Sequence, residues 1–241
     1  VPDLPRPALV VGLPGTGSDA DFARRAFGPA CAARDLPFLA VEPDPRDVVA
    51  SCRAALDTAA RSGPVLAAGI SLGAAIAVEW ACARDESAFG VIAALPAWTG
   101  ADTSVCPAAL SAAATAAQLR ADGLDIVIER MRASSPTWLA DALTQSWRAQ
   151  WPHLPRALDE AAAYPWPTPG TLTALPVPAA IVTAVDDPVH PLSVAQTWTT
   201  LIPQSHLHRI TLADLGDNPA ILGHRAMRSL FSKQPTPDPT H

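Results

Sequence analysis

The chain has 241 residues, 49% of them hydrophobic and 17% charged, with a net charge of −6. Those values suit one globular domain, or one domain with an insertion, and exclude a disordered or fibrous chain. The mild acidity without a basic cluster argues against a nucleic-acid partner, and no apolar run reaches the ~18 residues of a membrane span.

The first predicted element is a buried strand, Ala8 to Leu13 (ALVVGL), closed by Pro14-Gly15. Ser18 or Asp19 can cap a helix running to about Arg34. Phe38 to Val41 reads as a second strand and Asp47 to Arg61 as a helix. A third strand, Val65 to Gly69, leads directly into a helix over Gly73–Arg84, and Gly90 to Leu95 is a fourth strand. Strands alternating with helices imply a parallel sheet covered on both faces.

From about residue 100 to 169 the pattern is helical only. Segments Ala108–Arg120, Asp125–Arg132, Pro136–Gln150 and Arg156–Ala163 are predicted, the third with Ser135 as N-cap and Pro136 at the first helical position. Trp138, Ala142, Leu143 and Trp147 share one face of that third helix. The block reads as an insertion in an α/β core made of residues 1–99 and 170–241. Strand character returns at Ala179–Ala184, followed by a loop and a helix over Leu192–Leu201. His208–Leu212 is the last predicted strand, Arg225–Lys233 the closing helix and PTPDPTH a frayed tail.

Cys31, Cys52, Cys82 and Cys106 stand singly, with no C-x-x-C and no metal-ligand spacing with His. Free thiols in a reducing, cytoplasmic compartment are the expectation. The opening VPDLPRP lacks a signal-peptide pattern; it also lacks Met, which leaves open a leader removed upstream.

The chemistry concentrates in the loops after the strands. Gly69-Ile70-Ser71-Leu72-Gly73 lies where a strand turns straight into a helix. Flanking glycines allow the close packing of a strained turn that lifts a serine hydroxyl above the sheet. A serine nucleophile needs a base, and the base an orienting acid. Asp187 lies just past the strand AAIVTA, and His224 lies after the last predicted strand, in DNPAILGH. Ser71, Asp187 and His224 each follow the C-terminal end of a predicted parallel strand, where open α/β sheets place their sites. His190, three residues past Asp187, is the alternative base. Asp186 is the alternative acid, otherwise a turn or capping residue. His206 and His208 read as structural.

On these residues the chain resembles the α/β-hydrolase family, over nearly its whole length. The resemblance rests on Gly69-Ile70-Ser71-Leu72-Gly73, the Asp187-x-x-x-Pro191 loop, His224 before a last helix, and Pro14-Gly15-Thr16-Gly17 after the first strand. It implies a mostly parallel sheet of about six strands and a helical lid over residues 100–169. It also implies a serine esterase or thioesterase with an oxyanion hole from the Leu72 and Thr16 N–H groups. His224 is the base favoured by the family's order, since a base so close to its acid as His190 departs from that pattern. Trp98 is the expected substrate-pocket residue, and the substrate a small-molecule acyl ester or thioester, with no cofactor. The oligomeric state, the acyl group and hydrolysis versus acyl transfer stay open.

Two other readings stand beside it. One is a non-catalytic or acyl-transfer protein of the same fold. The other is a nucleotide-binding protein, because Gly15-Thr16-Gly17-Ser18-Asp19-Ala20 reads as G-x-G-x-x-A and Glu42 ends the next strand.

Overall fold

A computed structural model describes residues 6–231. The first residues of the opening segment, the last two of the expected closing helix and the Pro-rich tail lie outside the described residues. Six strands form one sheet: β1 (Leu9–Leu13), β2 (Phe38–Ala40), β3 (Val65–Ile70), β4 (Ala88–Ala94), β5 (Ala179–Ala184) and β6 (Ser205–Ile210). Their order is β2-β1-β3-β4-β5-β6, and every pairing is parallel. The chain winds outward from β1 to β2, then returns to place β3 on β1's other side. The C-terminal ends of β1 and β3 therefore border the point where winding reverses, a recurrent site position in such sheets.

The sheet is apolar on both faces, as its strand sequences demand. Val11, Leu13, Ala67, Val91, Ala93 and Ile181 point to one core. Val10, Leu66, Ala68, Ile92, Ala180 and Val182 point to the other. The first face is covered by α2 (Val48–Ala60), α3 (Leu72–Ala83) and α9 (Leu192–Leu201). The second is covered by α1 (Ala20–Ala32) and α11 (Ile221–Leu230). Asp19, not Ser18, caps α1, accepting from the Phe22 N–H at 3.0 Å.

Between β4 and β5 lie α4 (Pro107–Asp122), α5 (Leu124–Ser134), α6 (Thr137–Gln150), α7 (Leu154–Ala162) and the short α8 (Pro169–Thr173), with no strand among them. The sequence pattern locates α4–α7 to within a few residues and misses α8. At α6 the N-cap is Pro136 rather than Ser135, because the Pro136 backbone is still extended. The block has its own apolar cluster, including Ala116, Leu119, Ile128, Trp147 and Leu154. It is also tied to the sheet's helices by a charged cap. Asp47 makes no side-chain bond at the start of α2. Instead Glu160 of α7 accepts from the Val48 and Val49 N–H groups at 2.7 and 3.0 Å.

The chain after β5 departs most from expectation. The last strand is earlier than predicted, and both His206 and His208 lie within it. A short helix, α10 (Leu212–Asp217), follows at once, held by a reciprocal capping box between Thr211 and Asp214. The closing helix starts at Ile221, four residues before the expected boundary, because Leu222, Ala226 and Met227 form its buried stripe.

The Glu160 carboxylate makes the cap bonds at the α2 N-terminus that Asp47 does not make. Glu160→Ala is expected to lower stability by about 1–2 kcal/mol, read by urea unfolding. Hydrogen exchange at the Val48 and Val49 amides should accelerate more than at the buried β3 amides.

Candidate active site

Ser71 sits between the last residue of β3 and the first of α3. Its backbone has φ 52° and ψ −114°, a conformation side-chain-bearing residues rarely adopt. The surroundings impose it. A Cβ on Gly69 would collide with the Gly73 carbonyl, and one on Gly73 would stand 2.6 Å from Pro14 O and 2.8 Å from Leu13 O. The two glycines thus let the turn close on itself and on the end of β1. The Ser71 N–H donates to Ala94 O at 2.9 Å, anchoring the corner to β4.

The loop after β1 arches over this corner. An added Cβ on Gly15 would lie 3.5 Å from Ser71 Cβ. The Ser18 N–H closes a tight turn on Gly15 O at 3.1 Å, with Gly17 at φ 66° inside it. Thr16 lines the cavity beside Ser71. Leu72 opens α3, so its N–H is one of the helix-start donors that lie beyond intrahelical bonding.

His190 faces the serine. Its Nε2 lies 3.0 Å from Ser71 Oγ, and its Nδ1 lies 2.7 Å from Asp187 Oδ2. The other carboxylate oxygen of Asp187 accepts from the Val189 and His190 N–H groups at 2.8 and 3.2 Å. Burial of Asp187 opposes its ionisation. The His190 hydrogen bond and charge, with the two amide donors, outweigh it and hold the carboxyl below the ordinary carboxylate range. An ionised Asp187 can only accept, so the ring proton belongs on Nδ1. Nε2 is then left with its lone pair toward the Ser71 hydroxyl.

The structure brings together Ser71, Asp187 and His190, and it does not bring His224 to them. His224 lies inside α11, its N–H bonded to Ala220 O at 2.9 Å, where the sequence suggests a loop. The reason is local: Ile221 to Leu230 carries a helical apolar stripe that packs on α1. The segment after β6 instead turns Leu212 and Leu215 toward the cavity. Asp186 acts as a cap, accepting from the Leu212 N–H at 2.8 Å.

Ser71, Asp187 and His190 border a cavity of about 780 Å³ between the sheet and α4–α7. Phe22, Ile70, Leu95, Trp138, Leu143 and Trp147 give it an apolar interior. Ser111, Gln118, Arg130 and Ser134, all exposed, form a polar rim. Trp98 is not among the lining residues. Its indole N–H donates to Asp102 O at 2.7 Å, and its carbonyl accepts from Trp198, beside a separate small cleft. The tryptophans that line the cavity are Trp138 and Trp147, on the α6 face that the sequence periodicity singles out.

The nucleotide-like loop has its acidic groups already engaged. Glu42 Oε2 accepts from the Ala20 N–H at 2.9 Å, so that carboxylate caps α1. With Asp19 it fills the helix N-terminus with negative charge, where a pyrophosphate would need positive potential.

No protein-family model matches the chain, and no curated protein matches it in sequence. Solved structures do match. A hydrolase from Pseudomonas aeruginosa PA01 aligns with a TM-score of 0.69 at 16% identity, over 95% of this chain and 91% of its own. A thermophilic esterase from Thermogutta terrifontis gives 0.66 at 15% identity, over 86% and 81%. An enol-lactonase from Burkholderia xenovorans LB400 gives 0.66 at 12%, over 86% and 84%. The chain has the α/β-hydrolase fold. Within this α/β-hydrolase fold, the serine corner and the aspartate loop sit at strand ends as the resemblance implies. The histidine facing the serine is in the aspartate's own loop.

Two outcomes follow from this geometry. Gly73→Ala forces backbone oxygens away from the new methyl and should cost about 3 kcal/mol or more, measured by denaturant unfolding. Asp187→Asn removes a carboxylate whose folded-state pKa is depressed. Its contribution to stability is present above the unfolded pKa of about 3.9 and is lost as pH falls through the folded value. The stability gap between wild type and Asp187→Asn should therefore narrow as pH falls below about 4, checked by urea titrations at successive pH values down through that range.

Proposed function

We propose that this protein is a serine hydrolase that cleaves a carboxylic ester or thioester through an acyl-enzyme. The observation that carries the reading is the continuous chain Ser71 Oγ–His190 Nε2 at 3.0 Å and His190 Nδ1–Asp187 Oδ2 at 2.7 Å. Ser71 attacks the substrate carbonyl while His190 Nε2 accepts its proton. His190 then returns that proton to the departing alcohol or thiol, and in the second half-reaction takes one from water. Asp187 holds the imidazole in the tautomer this needs and stabilises the imidazolium that forms. The Leu72 and Thr16 N–H groups are the proposed oxyanion donors, with the start of α3 adding positive potential.

The helical block over residues 100–169 serves as the lid in this reading, and the apolar cavity beneath it takes the acyl group. The esterase and lactonase among the similar structures act on the same bond class, which supports the reaction type. The assignment of base differs from the order-based expectation: His190 takes the role given there to His224.

Intact-mass spectrometry after fluorophosphonate treatment tests the assignment. Wild type should gain one adduct and Ser71→Ala none. His190→Ala should label more slowly by roughly 10³-fold or more, whereas His224→Ala should label at the wild-type rate. A folded wild type that takes no adduct and cleaves no p-nitrophenyl ester or thioester would overturn the reading. Slow labelling of His224→Ala with normal labelling of His190→Ala would restore the order-based base.

A further inference from the structure

The proposed oxyanion arm is a Gly-Thr-Gly turn, and such a turn is poorly held by its own sequence. Glycine on either side of Thr16 leaves the peptide many conformations to lose on ordering. Yet a donor must be within a few tenths of an ångström of the developing charge to act on it. Something outside the loop has to fix it.

The last turns of α6 make that contact. Ser146 Oγ donates to Gly17 O at 2.8 Å, and Gln150 Nε2 donates to Ser18 O at 2.9 Å. Gln150 Nε2 also donates to Ser146 Oγ at 2.8 Å, closing the network. Ser146 is 1% exposed and Gln150 5%, so these bonds are shielded from water. Gln145 adds a bond to Asp19 Oδ2 at 3.3 Å, next to the cap of α1. Trp147, between them, presses on the same turn: a Cβ on Gly17 would lie 3.0 Å from its indole nitrogen. Buried polar side chains between otherwise apolar surfaces are costly unless fully paired. Here Ser146 and Gln150 pair with each other and with two consecutive carbonyls, Gly17 and Ser18, of the loop that arches over Ser71.

We infer that Ser146 and Gln150 are positioning residues for the reaction, holding the Gly15–Ser18 turn so that the Thr16 N–H meets the oxyanion. The inference rests on the acyl-enzyme reading above. Neither side chain touches the reacting atoms; both act through the backbone of the loop. In consequence α6 is a fixed wall of the active site, coupled to catalysis through the loop it clamps.

The test compares Ser146→Ala, Gln150→Ala and the isosteric Gln150→Glu, whose ionised carboxylate cannot donate to Ser18 O. Arg148→Ala, an exposed change on the same helix, is the control. Each is assayed on a p-nitrophenyl ester, on fluorophosphonate labelling rate and with an arylboronic acid, which mimics the tetrahedral adduct. The single clamp variants should lose about 10-fold in kcat, with KM within about twofold. Boronate Ki should rise by about the same factor, while Arg148→Ala changes neither. Ser146→Thr, which keeps the hydroxyl, should recover most of the rate. Folded clamp variants with unchanged kcat and boronate affinity would overturn the inference while leaving the acyl-enzyme reading intact. A loss confined to KM would overturn it too, as would equal losses in Arg148→Ala. If wild type neither labels nor hydrolyses, the acyl-enzyme reading falls, and this inference with it.

Discussion

The close approach of two backbone corners is the constraint on which the rest of the structure depends. Gly69 and Gly73 bring the β3–α3 turn onto the end of β1, and Ser71 is left in a conformation with φ 52°. Such a residue costs of order 1–3 kcal/mol and persists only when its surroundings over-determine it. They do so here. The preceding strand is buried throughout, and α3 is apolar on nearly every side, with nine of its twelve residues buried. A helix this enclosed cannot rotate to relieve its first residue. Leu95, at the end of the next strand, has φ 50° and lines the same cavity, so unusual backbone is concentrated at the strand ends where the site lies.

Placing the proposed acid and base, Asp187 and His190, three residues apart changes how the site is assembled. Asp187 Oδ1 accepts two backbone N–H groups of its own loop while Oδ2 meets the His190 ring, so one short turn defines both groups relative to each other. Only one long-range registration remains, that of the loop against the serine corner. The parallel pairing of β5 between β4 and β6 supplies it. The segment after β6 is thereby free of a catalytic duty in the proposed mechanism. It folds as α10, capped by Asp186 and Thr211, and offers Leu212 and Leu215 to the cavity wall.

The helical block is joined to the sheet's helices and loops at several points, each with its own chemistry. Glu160 caps α2, Ser146 and Gln150 hold the loop after β1, and Tyr164 donates to Glu79 of α3. Charged and hydrogen-bonding groups specify one docking geometry in a way that apolar contact alone does not. A cavity lined by Trp138 and Trp147 can thus remain open beneath helices that are otherwise packed on their own apolar cluster.

Sequence alone determined the local and periodic features. Buried strands are continuous apolar runs, so β1, β3, β4 and β5 are legible, as are the parallel sheet and the amphipathic face of α6 that lines the cavity. The Ser71 corner is legible because it is a contiguous five-residue pattern at a strand-to-helix junction, although only Gly69 answers to a contact within that pattern; the contacts that demand Gly73 come from Leu13 and Pro14. Tertiary structure decided which distant groups meet. Order along the chain favours His224, but whether a histidine reaches Ser71 depends on where its loop ends in space. The apolar stripe of Ile221–Leu230 draws His224 into a helix packed on α1. Trp98 likewise follows a strand end yet turns to the other side, where Trp198 donates to its carbonyl. The clamp from Ser146 and Gln150 is invisible in sequence for the same reason. Its bonds span about 130 residues, and no local pattern encodes a partner that only the docking of α6 brings within hydrogen-bond reach.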